Sequence, residues 1–222
     1  MKLMSSVVMA GALALSACAT TTSTGTTTGT TTTGTTAGTT TAVTASSAFT
    51  SSFWTRGSPS DLAIEAAALN NAELASVADP AIGGVTFLVG TDSDSALGYA
   101  AVNFGSAPGT TVTTGGATYD ASYRVVQLSN VKKSGSTLTA DTLIDSGLIT
   151  LTADFDAGTL TGSSGDLDVA GLILVNDLNG AVSFRSVAGA LDGEIGADGV
   201  LGAFHGSTGG TVYAGGFAGQ DR

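Results

Sequence analysis

Two residues in this 222-residue chain occur once each and carry distinctive chemistry, Cys18 and His205. A thiol can act as a nucleophile, a metal ligand or an acylation site, and an imidazole can move protons or ligate a metal. His205 lies in Gly202-Ala-Phe-His-Gly206, shortly before Tyr213 in Gly210-Thr-Val-Tyr-Ala-Gly. Histidine and tyrosine both serve as haem-iron ligands, so His205 and Tyr213 are the candidate ligand-binding pair, with haem as the group they would take; the alternative is that a lone strand histidine is a surface or hydrogen-bonded residue and that no cofactor is bound. No serine–base–acid arrangement can be placed around a lone histidine, so no catalytic residue is assigned and the chain reads as a non-enzyme. Asp154/Asp156 and Asp166/Asp168 sit two residues apart, which on a strand turns each pair to one side. That spacing is generic in an acidic β-protein and carries no general acid–base assignment. Thr91-Asp-Ser-Asp-Ser95 begins like a calcium loop but lacks the glycine and the distal bidentate glutamate, so it is expected to be a solvated turn and no metal site is assigned.

Charge narrows the partners. Eighteen acidic residues face seven basic ones, for a net charge of −11 and a pI near 4.1. No cluster of lysine and arginine exists to neutralise phosphates, which excludes a nucleic-acid partner. Charged residues amount to only 11% while glycines number 32, a balance typical of secreted or envelope β-proteins. An acidic surface favours cationic partners, although solubility alone is its ordinary role.

The N-terminus reads as an address. Met1-Lys-Leu-Met4 carries one positive charge, and Ser5 to Leu15 is an apolar run too short to span a bilayer. Leu15-Ser-Ala-Cys18 then resembles the bacterial lipobox. That resemblance implies a signal peptide over 1–17 and an acylated Cys18 as the first mature residue. Several acyl chains on one cysteine anchor firmly, at about 0.8 kcal/mol per buried CH₂. Cys18 so used leaves no disulfide and no thiol nucleophile. Ala19, rather than an inner-membrane-retaining aspartate, points to the outer membrane. Ala19 to Ser52 is almost wholly Thr, Gly, Ser and Ala, so 18–52 is expected to be a lipidated, disordered tether that lets the folded part stand clear of the membrane.

Folded structure is expected to start near Phe49, Phe53 and Trp54. Ser58-Pro59-Ser60-Asp61 opens a helix, with Ser58 as cap and Pro59 at the first helical position. That helix should run to about Leu69, or fray on towards Ala75, with Leu62, Ala66 and Leu69 on one face; it reads as a packed appendage or as a cap over a barrel. Val85–Gly90 reads as a buried strand and completes an appendage over 53–96. Ala96–Gly105 reads as a further strand. Then Tyr119, Ala121, Tyr123 and Val125 share one face, and Ile149, Leu151, Ala153 and Phe155 alternate with polar residues. Val182 and Phe184, and Leu191 and Ile195, do the same. Asn179-Gly180 and Asp198-Gly199 are the dipeptides of type I′ hairpins. Strands with short turns and no intervening helix predict an all-β fold, an antiparallel up-and-down meander that closes to remove its edges.

The motifs Thr114-Gly-Gly-Ala-Thr-Tyr119, Leu151-Thr-Ala-Asp-Phe-Asp-Ala-Gly-Thr-Leu-Thr-Gly162 and Gly202-Ala-Phe-His-Gly206 with Gly210-Thr-Val-Tyr-Ala-Gly-Gly-Phe-Ala-Gly219 occur in one order. Together they resemble the β-barrel domain of the transferrin-binding protein B family of surface lipoproteins, over roughly Leu97 to Gly219. The resemblance implies an eight-stranded barrel in a domain over 97–222, held on a lipidated tether and displayed at the cell surface; where the transferrin receptors carry two lobes, each with a handle domain beside its barrel, this chain is expected to form a single lobe without a handle domain. It implies binding of an iron carrier, a haem protein or another protein ligand. His205 stands where the family usually has tyrosine, and Ser207-Thr208-Gly209 replaces an A-x-E segment, so no contact residue carries over.

Two functions follow as expectations. One is a monomeric, outer-membrane, surface-exposed lipoprotein that binds a protein or a haem-type ligand. The other is a structural envelope lipoprotein without a specific ligand. An integral outer-membrane barrel fits less well, since the chain closes on Gln220-Asp-Arg222 rather than an aromatic residue and has only 6% aromatics for two girdles.

Overall fold

The computed structural model describes residues 41–42, 49–53, 59–92, 96–103, 108–134 and 137–222, all within the compact unit Gly38–Arg222. In chain order the first elements are β1 (Thr41–Ala42), β2 (Phe49–Phe53), α1 (Pro59–Ala68), β3 (Asn70–Asp79), β4 (Gly83–Thr91) and β5 (Ala96–Asn103). Then come β6 (Gly116–Ser134), β7 (Thr137–Asp154), β8 (Thr159–Ser164), β9 (Leu167–Leu174), β10 (Asp177–Phe184), β11 (Val187–Ile195), β12 (Gly199–Thr208) and β13 (Thr211–Asp221).

Strands β6 to β13 pair antiparallel, each with the next in sequence, and β13 returns to β6, so the meander is a closed eight-stranded barrel. Closure satisfies the two edges that an open meander would leave bare. One row of paired residues runs round it. Ile144 on β7 faces Val126, then Ala214, His205, Ala190, Ala181, Ala170 and Thr161, which faces Thr152 back on β7. The circuit therefore closes eight residues further along β7 than it began, a stagger equal to the number of strands. Eight strands at that stagger enclose a bore that side chains fill.

The filling is apolar and comes from the residues whose alternation was legible in the sequence. Tyr119, Ala121, Tyr123 and Val125, with Ile149, Leu151, Ala153 and Phe155, point inward to meet Val182, Phe184, Leu191 and Ile195. Thr150, Thr152, Asp168, Ala170 and Ala181 point outward and are exposed. An apolar, filled bore is the reverse of the polar lumen of a membrane-spanning barrel, while the wall mixes these polar residues with alanines and the exposed Leu172 and Leu174.

A second sheet lies beside the barrel, in the order β2-β5-β4-β3, with β2 parallel to β5 and the rest antiparallel. Ala75, Val77, Val85, Phe87 and Val89 from β3 and β4 pack on Val126, Leu128, Leu201, Ala203, Val212 and Ala214, the outward residues of β6, β12 and β13. Its other face takes α1, where Leu62, Ala66 and Leu69 meet Leu88. Helix α1 thus packs on the appendage, as one of its two readings had it, and does not close the barrel. The strand at Ala96–Asn103 pairs with β4 and β2 rather than with a barrel strand. The helix ends at Ala68 and does not fray on towards Ala75, since Asn70–Asp79 is a strand. Strands β1 and β2 fall inside or at the edge of the stretch read as tether, and the acylation site, the signal segment and most of the tether lie outside the described residues.

Candidate functional site

The closing hairpin β12–β13 carries both candidate ligands, and its alternation decides where they point. Phe204, Tyr213 and Phe217 are inward, in the barrel core, whereas Leu201, Ala203, Val212 and Ala214 are outward, against the second sheet. His205 follows Phe204 and so faces outward, between Ala190 of β11 and Ala214 of β13. Tyr213 is inward. The two side chains stand on opposite faces of one sheet and do not converge on a single iron.

Each has a structural setting of its own. The Tyr213 hydroxyl donates to the Val187 carbonyl at 3.1 Å, and burial pushes its phenol well above the usual range. Its ring lies 5.7 Å from Phe184 and 6.3 Å from Phe204, which is 6.3 Å from Phe217, so four rings form a continuous column in the bore. His205 is 8% exposed because β2, β4 and β5 lie against β12, and burial lowers its pKa from 6.5 to about 4. It is therefore a neutral imidazole at pH 7.

The paired carboxylates are absorbed by turns. Asp154 accepts the Ala157 N–H at 2.9 Å, and Asp168 accepts the Ser163 hydroxyl at 2.7 Å. Asp166 pairs with Arg185 at 2.8 Å, and the Arg185 guanidinium lies 5.8 Å from the Phe184 ring centroid. Those contacts tie the β8–β9 turn to the β10–β11 turn. No group of three acidic, histidine or cysteine side chains able to hold a metal occurs among the described residues. Of the calcium-like stretch, Ser93–Ser95 lies outside them.

One end of the barrel is closed by residues 108–115. The Asp198 N–H donates to the Pro108 carbonyl and the Ala197 N–H to the Thr110 carbonyl, both at 3.0 Å. Thr111 bonds Asn176, and the Phe155 N–H donates to the Gly115 carbonyl at 2.8 Å. Val112 packs on the barrel core, so this strap rather than a helix caps the bore. Beneath it Tyr119 donates to the Gly196 carbonyl at 2.8 Å, and burial, with Asp221 second, pushes its phenol up to about 12.

The other end is dominated by the β6–β7 hairpin, whose strands are 19 and 18 residues long against 6 to 11 for the rest of the barrel. It outruns both neighbours. Pairing of β13 on β6 stops at Leu128, and pairing of β8 on β7 covers only Leu151–Asp154. The free part leans on the second sheet through Val131 and Leu138, and the Asn71 side chain donates to the Leu138 carbonyl at 3.0 Å. Along β7 the outward side chains Ile144 and Leu148 remain 48% and 78% exposed. Sequence reasoning missed this stretch. Its outward face alternates only in part, and its strand character comes from pairing with β6.

No family model matches the chain, and no curated protein matches it. Solved structures to which it is similar include the apo haemoglobin receptor HpuA from Kingella denitrificans, with a TM-score of 0.41 and 15% identity over 69% of this chain and 62% of that one. Another is intact Ap-TbpB, with N and C lobes, at a TM-score of 0.43 and 10% identity over 68% and 38%. A third is a double mutant of the vaccine antigen Transferrin Binding Protein B from Haemophilus parasuis Hp5, at 0.39 and 13% over 68% and 37%. The chain spans less than two thirds of the length of each.

Proposed function

We propose that this chain is a lipid-anchored, outer-membrane lipoprotein, displayed at the cell surface, whose barrel and flanking sheet bind a protein ligand on their outer surfaces. The observation that carries this reading is a barrel bore filled by its own apolar side chains, set behind a lipobox-like cysteine and an uncharged Thr/Gly tract. A barrel with its own aromatic column inside has no room for a guest, so recognition falls to the wall, the turns and the long hairpin. Haem remains a ligand in the form of a haem protein. A free haem gripped by His205 and Tyr213 together is not supported, because they face opposite ways.

The resemblance noted in the sequence makes iron carriers and haem proteins the first ligands to assay. Full-length chain would be mixed with haemoglobin, transferrin and haemin, following co-elution and the Soret band. Co-elution with a protein supports the reading, and no binding across the set favours a structural lipoprotein, which a solid barrel would also serve. Acyl labelling of Cys18, membrane release by Cys18→Ser and protease shaving of intact cells test the anchor and its display. A Cys18→Ser chain that stays in the membrane fraction would overturn the anchor.

A further inference from the structure

The geometry points to a strand-addition site on the free edge of β7, residues 137–147, for an extended segment of another protein that alternates basic with apolar residues. This deepens the reading above and rests on it for the existence of a protein partner. The edge lacks a strand because the barrel is staggered: β8 pairs only with Leu151–Asp154, so earlier β7 residues have β6 on one side and no strand on the other among the described residues, with side chains reaching it only at its two ends, Asn71 at the Leu138 carbonyl and Ser164 at the Leu148 carbonyl. A bare strand presents a row of backbone N–H and C=O groups that another strand can complete.

Three further observations converge on the same stretch. First, Thr142, Ile144, Ser146 and Leu148 are all exposed on its outward face, so an added strand would cover two large apolar side chains. Second, Asp141 and Asp145 alternate onto the other face, and an incoming strand with basic residues there would meet carboxylates across the ladder. Third, strand addition already occurs on the hairpin's opposite edge, where Thr41–Ala42 pairs with Lys132 and Lys133 of β6. Wild-type edges of this kind are usually blunted by lysine or proline, and 137–147 contains neither.

Charge selects the occupant. A second copy of this chain paired symmetrically about Leu143 would set Asp141 directly opposite Asp145 of the other copy, and like charges facing across a ladder repel. The net charge of −11 acts in the same sense at longer range. A basic–apolar strand from a different protein meets neither obstacle.

The test uses the full chain and a synthetic peptide alternating lysine with valine. Amide hydrogen exchange should slow about tenfold across 137–147 when the peptide is added, with other strands unaffected. The same peptide N-methylated on the amides of one edge, and a glutamate–valine version, should give no protection. Ile144→Lys with Leu148→Lys, both at exposed positions, should weaken binding about tenfold or more. Protection elsewhere, equal protection by the N-methylated or acidic peptide, or no protection at all overturns the site. The two N-methyl and acidic controls need no altered chain, so a misfolded variant does not blunt the test. If haemoglobin, transferrin or another protein binds while 137–147 stays unprotected, the edge fails and the binding reading stands. Peptide addition at the edge with no protein ligand found gives the converse.

Discussion

Gly202 lies directly across the closing hairpin from Phe217, and the Phe217 ring occupies the space that a side chain on Gly202 would need. A Cβ placed there would sit 2.2 Å from Phe217 Cζ. The next two inward pairs repeat the relationship in alternation: Phe204 faces Gly215 with the partners exchanged, and Gly206 faces Tyr213 in the original sense. Glycine thus gives each ring a floor of bare backbone, and the column of rings fills a bore too narrow for two side chains at one level. Gly202→Ala should destabilise the chain by about 1–3 kcal/mol through overpacking, and Phe217→Ala by about 3–5 kcal/mol through the cavity left behind. Combining Gly202→Ala with Phe217→Leu should cost less than the sum of the single changes, since the two positions share one volume. Urea denaturation with an unchanged m-value measures all three, and additive costs would contradict the shared-volume account.

His205 gives the chain an acid-sensitive seam between barrel and sheet. Its folded pKa of about 4 lies below the ordinary 6.5, so the unfolded chain binds more protons between those values and stability falls as pH drops through that window. Above 6.5 the contribution is fully present; by about pH 4 it is gone, a loss on the order of 3 kcal/mol. Because His205 is the only histidine, His205→Gln should flatten the slope of unfolding free energy between pH 7 and 5.5, before most carboxylates titrate. An unchanged slope in the variant would remove His205 as its source.

The β9–β10 turn holds a correctable defect. Val175 adopts φ of +66° at a turn tip where it is 72% exposed, a conformation that a β-branched residue resists by roughly 1–2 kcal/mol. Val175→Gly or Val175→Asn should therefore raise stability by about 1 kcal/mol, readable as a higher urea midpoint. No contact in the bore is involved, so the m-value should stay fixed. A lower midpoint for both variants would show that Val175 contributes more than its backbone strain removes.

Tyr119 fixes the β11–β12 turn to which the strap is bonded. Removing its hydroxyl in Tyr119→Phe leaves the buried Gly196 carbonyl without its donor and should cost about 1–2 kcal/mol. Because Ala197 and Asp198 donate to Thr110 and Pro108, their amides should exchange faster in the variant while those of β9 and β10 do not. Uniformly faster exchange would mean that Tyr119 supports the whole barrel rather than the strap.

Inward alternation was legible wherever one face of a strand is buried and the other wet, which is why Tyr119–Val125 and Ile149–Phe155 read correctly. Turns were less so. Asn179-Gly180, a favoured hairpin dipeptide, lies inside β10, where Gly180 pairs with Gly171 and Leu191, and the turn falls at Arg185-Ser186, with φ of 50° and 64°. There the Arg185–Asp166 pair and the Phe184 ring hold a backbone that local propensity would not choose. Asn70–Asp79 escaped notice because Ala72, Glu73, Leu74 and Ala75 suit a helix equally well, and only the Phe87 strand beside it makes it extended. Of the candidate site, His205 and Tyr213 were visible as residue types, but their opposite orientation depends on register. The free edge of β7 was invisible altogether, since nothing in one strand's sequence reveals where its neighbour stops.

The eight-residue stagger of the barrel has a consequence for how this chain can change over time. A ring wound that tightly has no interior volume to trade, so each inward substitution must be answered by its neighbours. The outward alanines of the same ring, Ala170, Ala181 and Ala190, touch no such constraint and can be exchanged one at a time. Single substitutions should therefore be borne most easily on the exposed wall of β8 to β11, and least easily in the shaft beneath it.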